Sequence, residues 1–453
     1  MHRSKRVRMG ATAPCEDVGG SAVGGGADHD TATSVTDSPP DSTQSLAPPT
    51  DAPLTVEVYR WYYERAFPAQ WLGRWLSYGG GEAGDGGWRF RQREFSFTVG
   101  VDDPRWMRYL SYASAEELRR DLRERAPTKM DIGPVLNAAP RERHRVMAPM
   151  EVLERELLFD IDLDAYLDGM SLGGDAEAVR AQMQDDPVAA CEQHWLYMEA
   201  AVLVLERALR EEFGFRHVLW VFSGRRGVHA WVCDARARTL NREARTAIAH
   251  YLSVRVSGAA EHLAPHGQLH PFLTESYALL EPLMLRWLEQ RPEVLADMAA
   301  VDALLRPCID LDTRQLLLPL LCSSADGGKW AVRERWERAK HVLQRPHGGA
   351  GGGRREPRDP TALHRIVFHH LYPRLDVEVT KQTNHLLKAP FCVHPKTGRV
   401  CVPFRAADVQ RFRPTHDAPH VQALLAGDRH AQRLLKRQVD VLAAFVSEME
   451  RQP

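Results

Sequence analysis

Hydrophobic and polar residues follow two rhythms along the chain, and the clearest is a period of two. In ELLFDIDLDAY, residues 156–166, the apolar Leu157, Phe159, Ile161 and Leu163 alternate with Leu158, Asp160, Asp162 and Asp164. That period predicts a β-strand with one apolar and one acidic face. Positions i and i+2 of a strand lie roughly 7 Å apart, so Asp160 and Asp162 can share one cation. Two carboxylates that close repel unless something positive lies between them. Oxygen donors alone suit a hard ion such as magnesium. Taken by itself, the stretch is equally compatible with a half-buried strand whose acidic face is solvated.

Upstream, residues 54–76 place Val58, Trp61, Tyr62, Phe67, Trp71 and Trp75 at helical spacing, predicting an aromatic core helix. A glycine-rich loop at 79–87 leads into WRFRQREFSFTVG, residues 88–100, which predicts a strand. A helix is expected near 114–125, followed by TKMDIGPVL, where Lys129 and Asp131 precede an Ile-Gly-Pro turn. After the acidic strand, the small, acidic stretch 169–190 predicts an insertion, and residues 191–215 a long apolar-faced helix ending near Gly214. VLWVF, SGRRG and VHAWVCD predict a hairpin with a five-residue turn, and His229, Trp231 and Cys233 share one face of its second strand. From 236 to about 344 the pattern is helical, as expected of a subdomain inserted into a sheet domain. Strand chemistry is expected to return at 372–404. A helix closes the chain, with Leu435, Val439, Leu442, Val446 and Met449 on one stripe.

These segments divide the 453 residues as follows. Residues 1–53, small and polar, cannot offset the entropy of ordering and predict a disordered tail. Residues 54–235 form the first part of the core. Residues 236–360 form the helical subdomain, with a flexible Gly/Arg-rich insert at 347–359. Residues 361–453 complete the core and add the C-terminal helices. Lys and Arg number 59 against 60 Asp and Glu, so any affinity for nucleic acid must come from a local basic surface. Residues 372–405 supply one, with Arg374, Lys381, Lys388, Lys396, Arg399 and Arg405 beside His385 and His394, against Asp376 and Glu378. The seven cysteines form no C-x-x-C pair, which predicts a reducing compartment without a disulfide framework. No apolar run is long enough for a membrane span. Arg3, Lys5, Arg6 and Arg8 are a candidate nuclear address. The patterns of a P-loop ATPase and of a zinc protease are both absent.

Two further stretches carry chemistry. In RLDVEV, Leu375, Val377 and Val379 alternate with Arg374, Asp376 and Glu378, so Asp376 is a candidate third carboxylate if the fold brings it beside the first two. SGRRG offers a hydroxyl, two guanidiniums and glycine-exposed amides. That set suits triphosphate oxygens, or a basic hairpin tip facing solvent.

In the same order along the chain, REFSFTV, TKMDIG, FDIDLDAY, SGRRGVHAWVCD and YPRLDVEVTKQTNHLLKAPFCVHPKTGRVCVPF resemble the motifs of the small catalytic subunit of eukaryotic-type DNA primases, over roughly residues 54–404. The resemblance implies a mixed α/β core, the prim fold, with an inserted helical subdomain, and template-directed synthesis of short RNA primers. It implies that Asp160, Asp162 and Asp376 hold catalytic magnesium or manganese. Ser223, Arg225, Arg226 and His229 would hold the incoming triphosphate, with Lys388 and His394 reaching its phosphates and ribose from the opposite wall. Glu94, Arg108, Lys129 and Asp131 match positions lining the same cleft, and a contact from Asp131 to a 2′-hydroxyl would fit a ribonucleotide preference. The implied partners are a large primase subunit, the DNA polymerase alpha complex, a single-stranded DNA template, the RNA primer and ribonucleoside triphosphates, in the nucleus. Two rivals share the fold: a primase-polymerase that extends with deoxynucleotides, and an inactive nucleic-acid-binding scaffold. Related small subunits hold a structural zinc through cysteines just after the acidic strand. Here the matching stretch offers only Cys191 and His194, short of the four ligands of a closed site, so zinc binding is expected to be weakened or lost.

Overall fold

The structure, a computed structural model, describes residues 53–79, 87–145, 147–172, 174–254, 269–308, 310–344 and 359–451. The expected N-terminal tail with its basic cluster, the glycine-rich loop at 79–87 and the insert at 347–359 lie almost wholly outside the described residues.

The aromatic stretch at 54–76 forms two helices instead of one, α1 (Val56–Arg65) and α2 (Ala69–Ser77). Pro68, immediately before α2, cannot continue the ladder of α1 because it lacks an N–H. Tyr59, Tyr62, Tyr63, Leu72, Trp75 and Leu76 are buried, and Trp75 meets Trp231 edge to face at 5.3 Å. The strand expected over 88–100 is shorter than its pattern, because α3 (Gly87–Arg91) takes the first residues and β1 (Arg93–Val99) the rest. Then come β2 (Arg105–Leu110), α4 (Ala115–Arg125) and β3 (Lys129–Leu136). Ser114 caps α4, its Oγ accepting the Glu117 N–H at 3.2 Å. β4 (Val152–Glu154) and the acidic strand β5 (Leu157–Asp162) follow.

The stretch 169–190, read as an insertion, is largely helical. α5 (Leu167–Met170) leads to α6 (Ala176–Asp185) and α7 (Pro187–Gln193). Its acidic residues act as caps: Asp175 accepts the Glu177 N–H, and Asp186 accepts those of Val188 and Ala189. The single helix expected over 191–215 is divided between α7, α8 (Trp195–Arg207) and a π-turn at Ala208–Glu212.

Two antiparallel sheets carry the core. The first runs β2-β1-β3-β4, and β8 (Leu387–Lys388) also pairs with β3. The second runs β5-β7-β6-β9, with β6 (Val218–Phe222), β7 (Gly227–Val232) and β9 (Pro403–Phe404). The β6–β7 hairpin forms as its pattern predicts, with four residues between the strands where five were expected because Gly227 joins β7, and Gly224 turns its tip at φ +82°. Register then decides what faces what. Asp160 opposes His229 and Asp162 opposes Gly227 across β5 and β7. In the other sheet Asp131 has Ser96 on one side and Lys388 on the other.

RLDVEV is not a strand. Asp376 precedes the short helix Val377–Lys381 and caps it, its carboxylate accepting the Glu378 N–H at 3.1 Å. Strand structure over 372–404 shrinks to the two-residue β8 and β9. The pattern from 236 onward gives helices such as Pro271–Glu289, Leu311–Leu321 and Val332–Leu343. The closing helix Arg429–Arg451 buries Leu435, Leu442, Val446 and Met449 as its stripe predicts. Among the described residues no helix is long and apolar enough to cross a membrane.

A buried ionic knot ties the two sheets. Arg155 is fully buried and donates to the carbonyls of Ile132 at 3.0 Å, Gly133 at 2.8 Å and His385 at 2.8 Å. Beside it Arg93 grips the buried Glu156 with two bonds, at 2.8 and 2.9 Å. Burial alone would raise the Glu156 carboxyl, but Arg93 and Arg155 hold it at about 2.

Candidate active site

β5 delivers Asp160 and Asp162 at its solvent-reaching end; Leu158, on the same face, is buried, so the carboxylate face is wet only there. Asp376 comes to them from the far end of the sequence by a main-chain bond, its N–H donating to the Asp160 carbonyl at 3.0 Å. Burial, then Asp162 and Asp376, push the Asp160 carboxyl up to about 6, with Lys388 and His385 pulling the other way. Asp162, more open to solvent, is raised too, by partial desolvation first. Its Oδ1 lies 3.3 Å from Arg226 Nε, and Arg226 also binds Asp164.

The hairpin and the opposite sheet form the basic side. Ser223 Oγ accepts the Gly227 N–H at 3.1 Å, which closes the SGRRG tip. Thr397 Oγ1 donates to the Gly224 carbonyl at 2.6 Å, and a Cβ at Gly224 would stand 3.0 Å from the His394 Cβ. Lys388 spans the two walls: it lies on β8 against β3, and its Nζ donates to the Ser223 carbonyl at 3.3 Å. His229 Nε2 lies 3.6 Å from Asp160 Oδ1. Burial, reinforced by Lys388, lowers His229 to about 3 and His394 to about 2, so both rings are neutral at physiological pH.

On the first sheet Asp131 is buried, 2.8 Å from Lys129 Nζ, and accepts the Ser96 hydroxyl at 3.1 Å. Glu94, also buried, takes two bonds from Arg108, at 2.9 and 3.2 Å. The aspartates, His229, Ser223 and Lys388 are thus linked by contact or by shared field. Glu94 is paired with Arg108 on the first sheet, whereas Asp131, ion-paired with Lys129, keeps its buried Oδ1 without a hydrogen bond.

Sequence reasoning overlooked three contributors. Ser96 was legible, because it sits two residues after Glu94 on the polar face of β1 and must share its direction. Asp164 was placed on the acidic face without a role, and it neutralises part of Arg226. Arg155 left no local signal, since its partners lie in other elements.

The three aspartates fit a hard divalent cation. Their donors are all oxygen, and the Asp160 carboxyl is raised by burial first and then by repulsion from Asp162 and Asp376, which such a cation would relieve. Among the described residues no three His, Cys, Asp or Glu side chains already converge as a metal-holding group. Cys191 is fully buried in the core, where burial pushes its thiol well up, and among the described residues no further His, Cys, Asp or Glu gathers with it and His194 into a metal-holding group. Burial, with Arg291, lowers His194 to about 4.

Mutually repelling carboxylates beside guanidiniums of the same sheet, with ammonium groups on the opposite sheet, place the chain among the enzymes that transfer nucleotidyl groups. Comparison with known proteins narrows the class. Residues 159–406 match the DNA primase small subunit family. The DNA primase small subunit of Drosophila melanogaster is 35% identical over 80% of this chain and 80% of its own length. That of Schizosaccharomyces pombe is 35% identical over 80% and 76%, and that of Saccharomyces cerevisiae 33% over 78% and 82%. The chain belongs to the DNA primase small subunit family. It is a nucleotidyltransferase of the replication machinery, making RNA primers under the direction of a DNA template.

Proposed function

We propose that Asp160, Asp162 and Asp376 hold magnesium or manganese, and that the SGRRG tip with His229, Lys388 and His394 holds the incoming ribonucleoside triphosphate. The observation that carries this reading is the pairing of a raised Asp160 carboxyl with a main-chain bond that brings Asp376 to it. A divalent cation held by these three carboxylates would lower the pKa of the primer 3′-hydroxyl and offset charge on the departing pyrophosphate. The chain's own groups do the rest. Arg225 and Arg226 orient the phosphates through forked contacts. Neutral His229 and His394 offer ring nitrogens to phosphate and ribose oxygens without adding charge, while Lys388 adds one. Asp131, held by Ser96 and Lys129, is available to a 2′-hydroxyl and so favours ribonucleotides. The 3′-hydroxyl gives up its proton to solvent, its oxygen attacks the α-phosphorus, the bond from that phosphorus to the bridging oxygen breaks, and pyrophosphate leaves with the electron pair.

The helices between 236 and 344 serve as a helical subdomain of this core. The assembly is a complex with a large primase subunit and the DNA polymerase alpha complex, acting in the nucleus on single-stranded DNA and the growing RNA primer. The designation "small subunit" shared by the relatives supports a larger partner. A homopyrimidine template given ribo- or deoxynucleotides without primer tests the reading. Products from ribonucleotides are expected. Synthesis from deoxynucleotides alone would favour the primase-polymerase, and none from either, with or without the large subunit, would favour the scaffold.

A further inference from the structure

Beside the hairpin tip, a cavity of about 640 Å3 is lined by Arg180, Arg225, Arg226 and Lys396, with Asp164 the one carboxylate among its lining residues. Asp164 is already bound to Arg226, which also approaches Asp162. Arg180, Arg225 and Lys396 have no ion pair among the described residues, and the Arg225 Nε is buried without a hydrogen-bond partner. Cations gathered without a counter-charge raise one another's energy as the aspartates do, with the opposite sign. What relieves them is an anion with several charges and several oxygens. Guanidinium forks match phosphate oxygens in particular.

Three separate elements build this ring. The hairpin tip supplies Arg225 and Arg226, the loop after His394 supplies Lys396, and α6 supplies Arg180. On α6, Met183 and Gln184 follow Arg180 at i+3 and i+4 and line the same cavity, so helical spacing turns Arg180 toward it. The segment that reads in the sequence as an insertion therefore ends beside the tip. Arg226 joins the two places, since it reaches Asp162 on one side and lines the cavity on the other.

We infer that this cavity receives the phosphate tail beyond the α-phosphate, and the pyrophosphate released from it, with Arg180 and Lys396 as the far contacts. The inference rests on the reading of the hairpin tip as a triphosphate site. It gives the two products separate destinations: the lengthened primer stays with the carboxylates, and the pyrophosphate stays with the cations.

Arg180→Ala and Lys396→Ala in the full chain test it, with a supplied primer and inorganic pyrophosphate as the probe. Both the KM for ribonucleotide and the inhibition constant of pyrophosphate should rise roughly three- to tenfold, between the worth of an exposed ion pair and that of a charge-assisted bond. The loss should appear in KM more than in kcat, and Arg180→Lys should recover part of it. Arg180 and Lys396 are exposed, so thermal unfolding should match the parent chain. If Arg225→Ala raises KM while the Arg180 and Lys396 variants leave both constants unchanged, the extension is overturned and the hairpin reading survives. If Arg225→Ala also leaves KM unchanged, the hairpin reading itself fails. A fall in single-stranded DNA affinity with unaltered pyrophosphate inhibition would assign the cavity to the template backbone and equally overturn the inference.

Discussion

Asp376 is tied to Asp160 by main chain and not by side chain: its N–H donates to the Asp160 carbonyl at 3.0 Å, while its own carboxylate caps the helix that follows. Side-chain changes at either position therefore leave the junction standing.

Asp160→Asn and Asp376→Asn should each abolish primer synthesis while the chain stays folded. For Asp160 the sign of the stability effect also follows. Its carboxyl is raised from 3.8 to about 6, so the folded state holds that proton more tightly than the unfolded one. Stability falls as pH rises between those values, by on the order of 3 kcal/mol at most, less whatever solvent screens. Without divalent ions, Asp160→Asn should melt higher than the parent at pH 7.5 and like it at pH 4. Equal differences at both pH values would show that Asp160 carries no such tension.

Arg225→Lys and Arg226→Lys keep the charge and lose the fork. If the tip grips a triphosphate, the KM for ribonucleotide should rise on the order of tenfold in each. Wild-type KM in both would leave SGRRG as a basic turn facing water.

The buried pair Arg93–Glu156 makes a prediction about acid. Glu156 is depressed from 4.5 to about 2, so its stabilisation is complete above pH 4.5 and is lost as pH falls toward 2. Glu156→Gln should cost roughly 3–5 kcal/mol at pH 7, because buried guanidiniums lose their counter-charge. In urea titrations the gap between variant and parent should narrow at pH 3. A gap of constant size would mean that packing, and not charge, holds the knot.

Cys191 makes a prediction about metal content. Chain dialysed against a chelator should retain well under one zinc, and Cys191→Ser should lower stability without changing metal content. One retained zinc per chain, lost in that variant, would restore the family's structural zinc here.

What was legible in the sequence was what repeats locally. The period of two in β5 and the hairpin around SGRRG each depend on neighbours a few residues away, and both read correctly. RLDVEV shows the limit: alternation over so short a run is outweighed by one aspartate able to cap a helix, and the backbone followed the cap. The stretch 169–190 misled in a similar way, since acidic residues that look like loop filling are the caps of α6 and α7. Pairings such as Asp131 with Lys388 depend on strand order, which no local period encodes. The resemblance supplied those residues, and the register explains why they belong together.

Arg155, two residues before β5, holds carbonyls of β3 and of the segment leading into β8 within one planar group, and so pins the second sheet to the first. Parting the walls would strand a buried guanidinium and three carbonyl oxygens away from water, each lost bond carrying a desolvation cost. The cleft therefore has a fixed gauge. Lengthening of a primer must be accommodated by movement of the nucleic acid through it, one nucleotide at a time, past walls that keep their distance.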